Sequence, residues 1–203
     1  MPPVRVTEMP LAGAFRLSSH QFPDRRGLFY EAFRTADVSA ALGYPFVVAQ
    51  AHYSISKRDV IRGIHGTQLP PGQGKLISCV RGEVLDVAVD LRPDSPTFGR
   101  CVTTHQTAAN GNALLLGEGI GHAFQSLTDD ATMLFLCTVE YVPGTMTVID
   151  ALDPEIGIPW DRTRRPILSE KDAAAPTLAQ ARDTGVLATL GQIREFRSAG
   201  PTS

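Results

Sequence analysis

The sequence predicts a mainly β protein, an antiparallel sandwich or barrel with short helices. Residues 83–90 place apolar side chains on one face of an extended strand and a mixed set on the other, and residues 133–141 alternate in the same way. Similar short runs continue from about residue 47 to residue 149 and are separated by turns rich in Gly and Pro, such as residues 92–96. Strands at this spacing are typical of an antiparallel sandwich or barrel.

The segment before this region is predicted to contain strands joined by turns, followed by one short helix. We expect the helix to run from Thr35 to Leu42, because Thr35 or Asp37 can cap its first turn and Gly43 can end it. At the other end of the chain, residues 177–197 look helical.

Composition narrows the class of protein. The 203 residues suffice for one domain with a sizeable core, and a hydrophobic content of 43% with 20% charged residues is typical of a soluble globular protein. A formal net charge of −2 argues against general affinity for nucleic acid or anionic membranes. No apolar run approaches the length of a membrane-spanning helix, and the N-terminus lacks an apolar signal region, so we expect a cytoplasmic protein.

The three cysteines support the same compartment. Cys79, Cys101 and Cys137 lie in apolar runs without metal-binding spacing, so we expect buried, reduced thiols.

The strongest chemical signal is a short cluster of cations around one histidine. Arg62 and His65 stand in the segment RGIH, Lys75 follows ten residues after His65, and His122 ends a Gly-rich turn further on. An imidazole near neutral pKa can act as a general base, an ammonium can stabilise an enolate oxygen, and a guanidinium suits phosphate or carboxylate. The cluster therefore favours proton abstraction from a substrate that carries both a phosphate and a carbonyl.

Other readings of these residues remain open. A single histidine in a strand is often a structural residue, and a strand Lys or Arg is often a solvated charge. His52, His65 and His122 could instead provide three imidazoles for a metal, although no His-x-His pair is present. An Asp behind His65 would fix its tautomer, but spacing alone does not identify that residue.

Further motifs occur before and after this cluster, along most of the chain. Together they resemble the dTDP-4-dehydrorhamnose 3,5-epimerase family, the cupin-fold epimerases of nucleotide-activated 4-keto-6-deoxysugars. The motifs are DRRGLFYE at 24–31, RGIH at 62–65, QGKL at 73–76, GEVLDVAVDLR at 82–92, SPTFG at 95–99, EGIGHAF at 118–124, DPEIGIPW at 153–160 and SEKDAAAP at 169–176. We therefore expect one cupin-type domain over residues 1–203, with its core at about 22–176 and a helical extension at about 177–203.

The resemblance implies roles for individual residues. It implies that His65 is the base, that Asp172 is the acid paired with it, and that Lys75 is the cation near the 4-keto oxygen. The implied substrate-binding residues are Arg26, Phe29, Glu31, Gln50, His52, Arg62, His122 and Phe135. Arg26, Phe29 and Glu31 match a segment that reaches the nucleotide, often across a dimer interface. The resemblance also implies a homodimer that binds a dTDP-linked nucleotide-sugar and needs neither a metal nor an organic cofactor.

Three positions depart from the family's pattern. Phe135 stands where a tyrosine usually delivers a proton to the sugar face opposite the base, and phenylalanine has no hydroxyl. His52 stands where an asparagine is usual, and Gly66 replaces an aromatic residue, which we expect to open space in the pocket. The sequence thus predicts an epimerase that inverts C3, C5 or both, and the missing hydroxyl at Phe135 favours a restriction to one centre. A keto-sugar isomerase and a non-catalytic nucleotide-sugar binding protein are the alternatives.

Overall fold

The computed structural model describes residues 4–199, and their strands form two large antiparallel sheets and one hairpin. The strands are β1 (Arg5–Glu8), β2 (Ala14–Ser18), β3 (Gln21–Asp24), β4 (Gly27–Tyr30), β5 (Gln50–Ser56), β6 (Ile61–Thr67), β7 (Lys75–Arg81), β8 (Glu83–Asp90), β9 (Cys101–Thr107), β10 (Asn112–Leu116), β11 (Ile120–Ser126), β12 (Ala131–Cys137) and β13 (Met146–Val148). The helices are α1 (Thr35–Leu42), α2 (Glu170–Ala173), α3 (Leu178–Asp183) and α4 (Leu190–Ala199).

The two large sheets face each other across a shared core. The six-stranded sheet has the order β1-β2-β10-β7-β12-β5, the five-stranded sheet has the order β13-β6-β11-β8-β9, and β3 pairs with β4 in the hairpin. Ile77 and Met133 from the six-stranded sheet pack in one cluster with Ala88 and Phe124 from the five-stranded sheet. This is a cupin-type antiparallel β-barrel, and the predicted fold class is confirmed.

A second core covers the outer face of the five-stranded sheet. Ile61, Ile64 and Val89 contribute to it from the sheet, and Trp160 and Leu178 contribute from the chain after β13. Because this side of β6 is buried as well as the side that faces the barrel, the strand is held from both faces. The C-terminal segment that carries α2 is thereby brought against the strand that carries His65.

Close backbone approach between β6 and β11 depends on one glycine. A Cβ atom at Gly63 would lie 2.4 Å from the carbonyl oxygen of His122 and 2.9 Å from Cα of Ala123, and Gly63 has a φ of +108°. Only glycine fits this contact, because other residues would meet backbone atoms and strain their own backbone. The contact lies where His65 pairs directly with His122 in the sheet.

Several local predictions are corrected by the structure. Helix α1 has the predicted bounds and ends at Gly43 with a φ of 80°, but its N-cap is Arg34, without a side-chain cap, rather than Thr35 or Asp37. The strand predicted over 133–141 ends at Cys137. Residues 177–197 do not form one helix, because Gly185 lies at positive φ in the connection between α3 and α4.

All three cysteines were predicted to be buried, and this is confirmed for two of them. Cys79 and Cys137 are buried, Cys101 is half-buried, and all three thiols are free. No helix within residues 4–199 is long and apolar enough to cross a bilayer. The ends of the predicted single domain, residues 1–3 and 200–203, lie outside the described residues.

Candidate active site

A cavity of about 530 Å³ opens between the two sheets. Its lining includes these predicted site residues: Gln50, His52, Arg62, His65, Lys75, His122 and Phe135. Strands β6 and β11 of the five-stranded sheet contribute His65 and His122 to one wall. Strands β5, β7 and β12 of the six-stranded sheet contribute His52, Lys75 and Phe135 to the other. The cavity therefore has two chemically different walls.

His65 is paired with Asp172, which lies on α2 behind the cavity. The distance from Nε2 of His65 to Oδ1 of Asp172 is 2.7 Å, and the side chains are 29% and 5% exposed. The hydroxyl of Ser169 caps α2 by accepting a hydrogen bond from the backbone N–H of Asp172. A carboxylate can only accept, so His65 donates its Nε2–H and keeps Nδ1 available to take a proton.

Two opposing effects set the pKa of Asp172. Burial raises it, but hydrogen bonding and charge attraction from His65 lower it, and the Ser169 hydroxyl and the Gly63 N–H lower it further. The net pKa lies below the ordinary value of 3.8. Asp172 is thus ionised at neutral pH and can stabilise an imidazolium at His65.

A second histidine–aspartate pair stands beside the first. Nε2 of His122 lies 2.6 Å from Oδ1 of Asp86, and the Gln106 amide donates to Oδ2 of Asp86 at 2.6 Å. The backbone N–H of Cys79 donates to Oε1 of Gln106 at 2.8 Å, which fixes the orientation of that amide. Burial raises the pKa of Asp86, and the neighbouring His122 opposes that rise. The chain of hydrogen bonds holds His122 in one orientation at the cavity wall.

Lys75 lines the cavity and carries a positive charge into it. No carboxylate oxygen lies within 4.0 Å of its ammonium in the described part of the chain. Burial lowers the pKa of Lys75. Its cross-strand neighbour Cys137 also faces the cavity, and burial raises the pKa of that thiol against the opposing charge of Lys75. An ammonium without a counterion here suits an anionic ligand or a developing oxyanion.

His52 and Phe135 form a flat stack on the same wall. They pair across β5 and β12, their ring centroids are 4.8 Å apart, and the rings are 6° from parallel. Phe135 also forms a T-shaped pair with His122 of the opposite wall, with ring centroids 5.4 Å apart and an angle of 78° between the ring planes. Burial, and then the charge of Lys75, lower the pKa of His52 below 6.5.

Polar side chains at the cavity rim are held by local hydrogen bonds. Arg62 donates to the hydroxyl of Ser56 at 3.0 Å and to the carbonyl of Ile55 at 3.3 Å, so its guanidinium stays at the cavity mouth. The side-chain oxygen of Gln50 accepts a hydrogen bond from the backbone N–H of Tyr141 at 2.7 Å. Tyr141 lines the cavity from beyond the end of β12 and was not predicted as a site residue.

The three predicted nucleotide-binding residues lie away from the cavity of their own chain. Arg26 is in the β3–β4 hairpin and pairs with Asp24, and Glu31 pairs with Arg34. Phe29 is 58% exposed. Their binding role therefore stays a prediction, and a single chain does not unite them with the other site residues.

The expectation that Gly66 opens the pocket is wrong. A Cβ atom at Gly66 would lie 3.1 Å from Cδ1 of Leu91 and 3.6 Å from Cβ of Thr147, and Gly66 does not line the cavity. Successive residues of a strand face opposite sides, so when His65 points into the cavity, position 66 points into the second core.

Residues 4–199 do not contain a set of side chains that would support the alternative of a metal site. No group of three His, Cys, Asp or Glu side chains is arranged to hold a metal ion within that range. His65 and His122 each use one ring nitrogen for a carboxylate.

The fold and the cavity together define a class of protein. A cupin-type barrel whose cavity combines a carboxylate-backed histidine with a half-buried lysine is suited to proton transfer at a carbon next to a carbonyl. The family model for dTDP-4-dehydrorhamnose 3,5-epimerase matches residues 8–180, and the chain belongs to that family of isomerases.

Similar proteins cover almost the whole chain. A dTDP-4-dehydro-6-deoxyglucose 3-epimerase from Streptomyces bikiniensis is 42% identical over 94% of this chain and 97% of its own. A dTDP-4-dehydrorhamnose 3,5-epimerase from Mycolicibacterium smegmatis is 40% identical over 93% of each chain. The crystal structure of NovW, a 4-keto-6-deoxy sugar epimerase from Streptomyces spheroides, is 40% identical with a TM-score of 0.90, covering 95% of this chain and 98% of that one.

Proposed function

We propose that the protein is an epimerase of a dTDP-linked 4-keto-6-deoxyhexose that inverts the configuration at C3, at C5 or at both. The observation that carries the proposal is the Nε2–Oδ1 distance of 2.7 Å between His65 and Asp172, at a cavity whose other wall supplies Lys75. The family membership and the epimerase names of the relatives support the same substrate class.

In the proposed mechanism, Nδ1 of His65 removes a proton from a carbon next to the ketone. The electrons of the C–H bond form the enolate, and the Lys75 ammonium stabilises the negative oxygen. Asp172 stabilises the imidazolium that forms at His65. A positioned base contributes about 10²–10⁴-fold in rate, and oxyanion stabilisation is often the larger effect.

Arg62 and Gln50 lie at the mouth of the cavity, where we propose that they contact the nucleotide-sugar. The guanidinium of Arg62 is suited to a phosphate oxygen. Among the relatives, one name specifies inversion of C3 and another specifies inversion of both C3 and C5.

The test is proton exchange with solvent. The dTDP-4-keto-6-deoxyglucose substrate is incubated with enzyme in deuterated water, and NMR locates the label. We expect deuterium at C3, at C5 or at both, together with an inverted product. A shifted ketone would indicate a keto-sugar isomerase, and tight dTDP binding without any label would indicate a binding protein.

We further propose that the protein works as a homodimer in the cytoplasm. The separation of Arg26, Phe29 and Glu31 from the cavity of their own chain supports a role in the cavity of a partner. The three free thiols and the nucleotide-linked substrate support a cytoplasmic setting. Light scattering of the purified protein tests the oligomeric state.

A further inference from the structure

Inversion of a carbon centre by proton transfer removes a proton from one face of the substrate and delivers a proton to the opposite face. One group removes the first proton, and a second group can deliver the other. We propose that His52 is this second group, a catalytic acid that acts from the wall opposite His65. The inference rests on the proposed epimerase function and adds to it the residue that completes the inversion.

The sheet topology places the two histidines on opposite walls. His65 is on β6 of the five-stranded sheet, and His52 is on β5 of the six-stranded sheet. Both line the same cavity. A flat sugar ring that lies between the walls therefore has His65 on one face and His52 on the other.

Three other side chains of that wall are less suited to donate a proton. Phe135 has no exchangeable proton. The Cys137 thiol is 1% exposed, and burial raises its pKa, which makes it a poor acid with little access to water. Lys75 must keep its charge while it stabilises the enolate oxygen. His52 is exposed enough to exchange its proton with water after each turnover.

The stack with Phe135 gives His52 a defined orientation. The parallel rings 4.8 Å apart restrict rotation of the imidazole, so its ring nitrogens are held in one plane beside the cavity. Burial, and then the charge of Lys75, lower the pKa of His52, which makes its imidazolium a stronger acid toward the enolate carbon but a minor species at neutral pH.

The proposed step is balanced. An N–H bond of the His52 imidazolium breaks, and its electrons stay on the nitrogen. The enolate carbon takes the proton to form a new C–H bond, and the C–O double bond is restored. His52 is left neutral and His65 protonated, and exchange with solvent returns both rings to their starting states. No oxidant, reductant or cofactor takes part.

The test separates proton removal from inversion. We expect His52→Asn to slow formation of the inverted product about 100-fold. Deuterium should still enter the substrate at the wild-type rate within a few-fold, because His65 can remove a proton and return a deuteron to the same face. His105→Asn is the matched control, because His105 is an exposed strand residue outside the cavity that pairs with Glu83.

Folding and rival donors are controlled in the same experiment. Thermal unfolding with and without dTDP shows whether the variant folds and binds. Inversion within twofold of wild type in His52→Asn would overturn the inference, as would equal loss of exchange and inversion in a variant that folds and binds dTDP. Loss of inversion in Tyr141→Phe, with His52→Asn unaffected, would assign the role to Tyr141. If the wild type incorporates no deuterium, the proposed function itself fails.

Discussion

Asp172 lies 2.7 Å from His65 although 107 residues separate them in the chain. The pairing depends on α2 being held against β6 by the second core, and on Ser169, which caps the helix at the residue that carries the carboxylate. Because only one ring nitrogen of His65 is engaged, the other is available at the cavity.

Removal of the Asp172 charge should therefore disable the proposed base without preventing dTDP from binding. We expect Asp172→Asn to lower the exchange rate by about 10³–10⁴-fold, because the tautomer of His65 and the stability of its imidazolium both depend on the carboxylate. The measurement is deuterium incorporation by NMR, with dTDP affinity measured separately. Asp183→Asn, a change of an exposed aspartate on α3, should leave both unchanged. Exchange within tenfold of wild type in Asp172→Asn would contradict the assignment.

A hydroxyl at position 135 should alter the outcome of the reaction. We expect Phe135→Tyr to speed inversion or to extend it to a second carbon, because Phe135 lines the cavity on the wall opposite His65. Product analysis by NMR over a time course is the measurement, with the wild type as reference. An unchanged product ratio and rate in a folded variant would show that the missing hydroxyl does not limit the enzyme.

Mixed dimers can show whose cavity Arg26 serves. We expect the His65→Asn variant and the Arg26→Ala variant each to have impaired activity. After the two variants exchange subunits, half of the dimers are hybrids, and each hybrid has one intact site out of two. The mixture should therefore recover about a quarter of wild-type activity. Recovery requires that Arg26 of one chain act in the cavity of the other. Separate proteins mixed without subunit exchange are the control. If activity does not recover after subunit exchange has been demonstrated, Arg26 acts in the cavity of its own chain.

The buried pair of Asp90 and Arg92 should make stability depend on pH in the acid range. Burial raises the pKa of Asp90, but hydrogen bonds from Arg92, Ser95 and Thr97 outweigh that effect and hold it below 3.8. The unfolded-state pKa is about 3.9, so the stabilisation is present above that pH and is lost as the pH falls through the folded-state value.

Urea unfolding of Asp90→Asn measures this contribution. We expect a loss of about 3–5 kcal/mol at pH 7, because Arg92 is left buried without its carboxylate. The difference from wild type should stay constant above about pH 5 and shrink below about pH 4. A difference that stays the same throughout the acid range would mean that Asp90 titrates normally.

The sequence predicts the barrel because alternation and turns are local signals. It also predicts seven of the fifteen residues that line the cavity, and RGIH and QGKL place His65 and Lys75 on facing strands once the barrel closes. The partner of His65 came from family resemblance alone, because no spacing rule links residues so far apart. The link from His122 through Asp86 to Gln106 was not foreseen, since it joins three strands whose register the sequence does not specify.

Errors in the prediction also have local causes. The N-cap of α1 was misassigned because Thr35 and Asp37 are favoured cap residues, yet Arg34 takes the position. The expectation for Gly66 is wrong because a strand that turns His65 into the cavity turns the next residue to the opposite face.

The two walls of the cavity differ in how many substitutions they can accept. Gly63 leaves no room for a side chain beside His122, and the layer behind β6 is filled. Strand β5, by contrast, is the border strand of its sheet, and its Tyr53 and Ile55 are exposed. Residues on the β5 side can therefore change while the wall that carries His65 stays constant. Such changes would allow related enzymes to differ in the stereochemistry of their products.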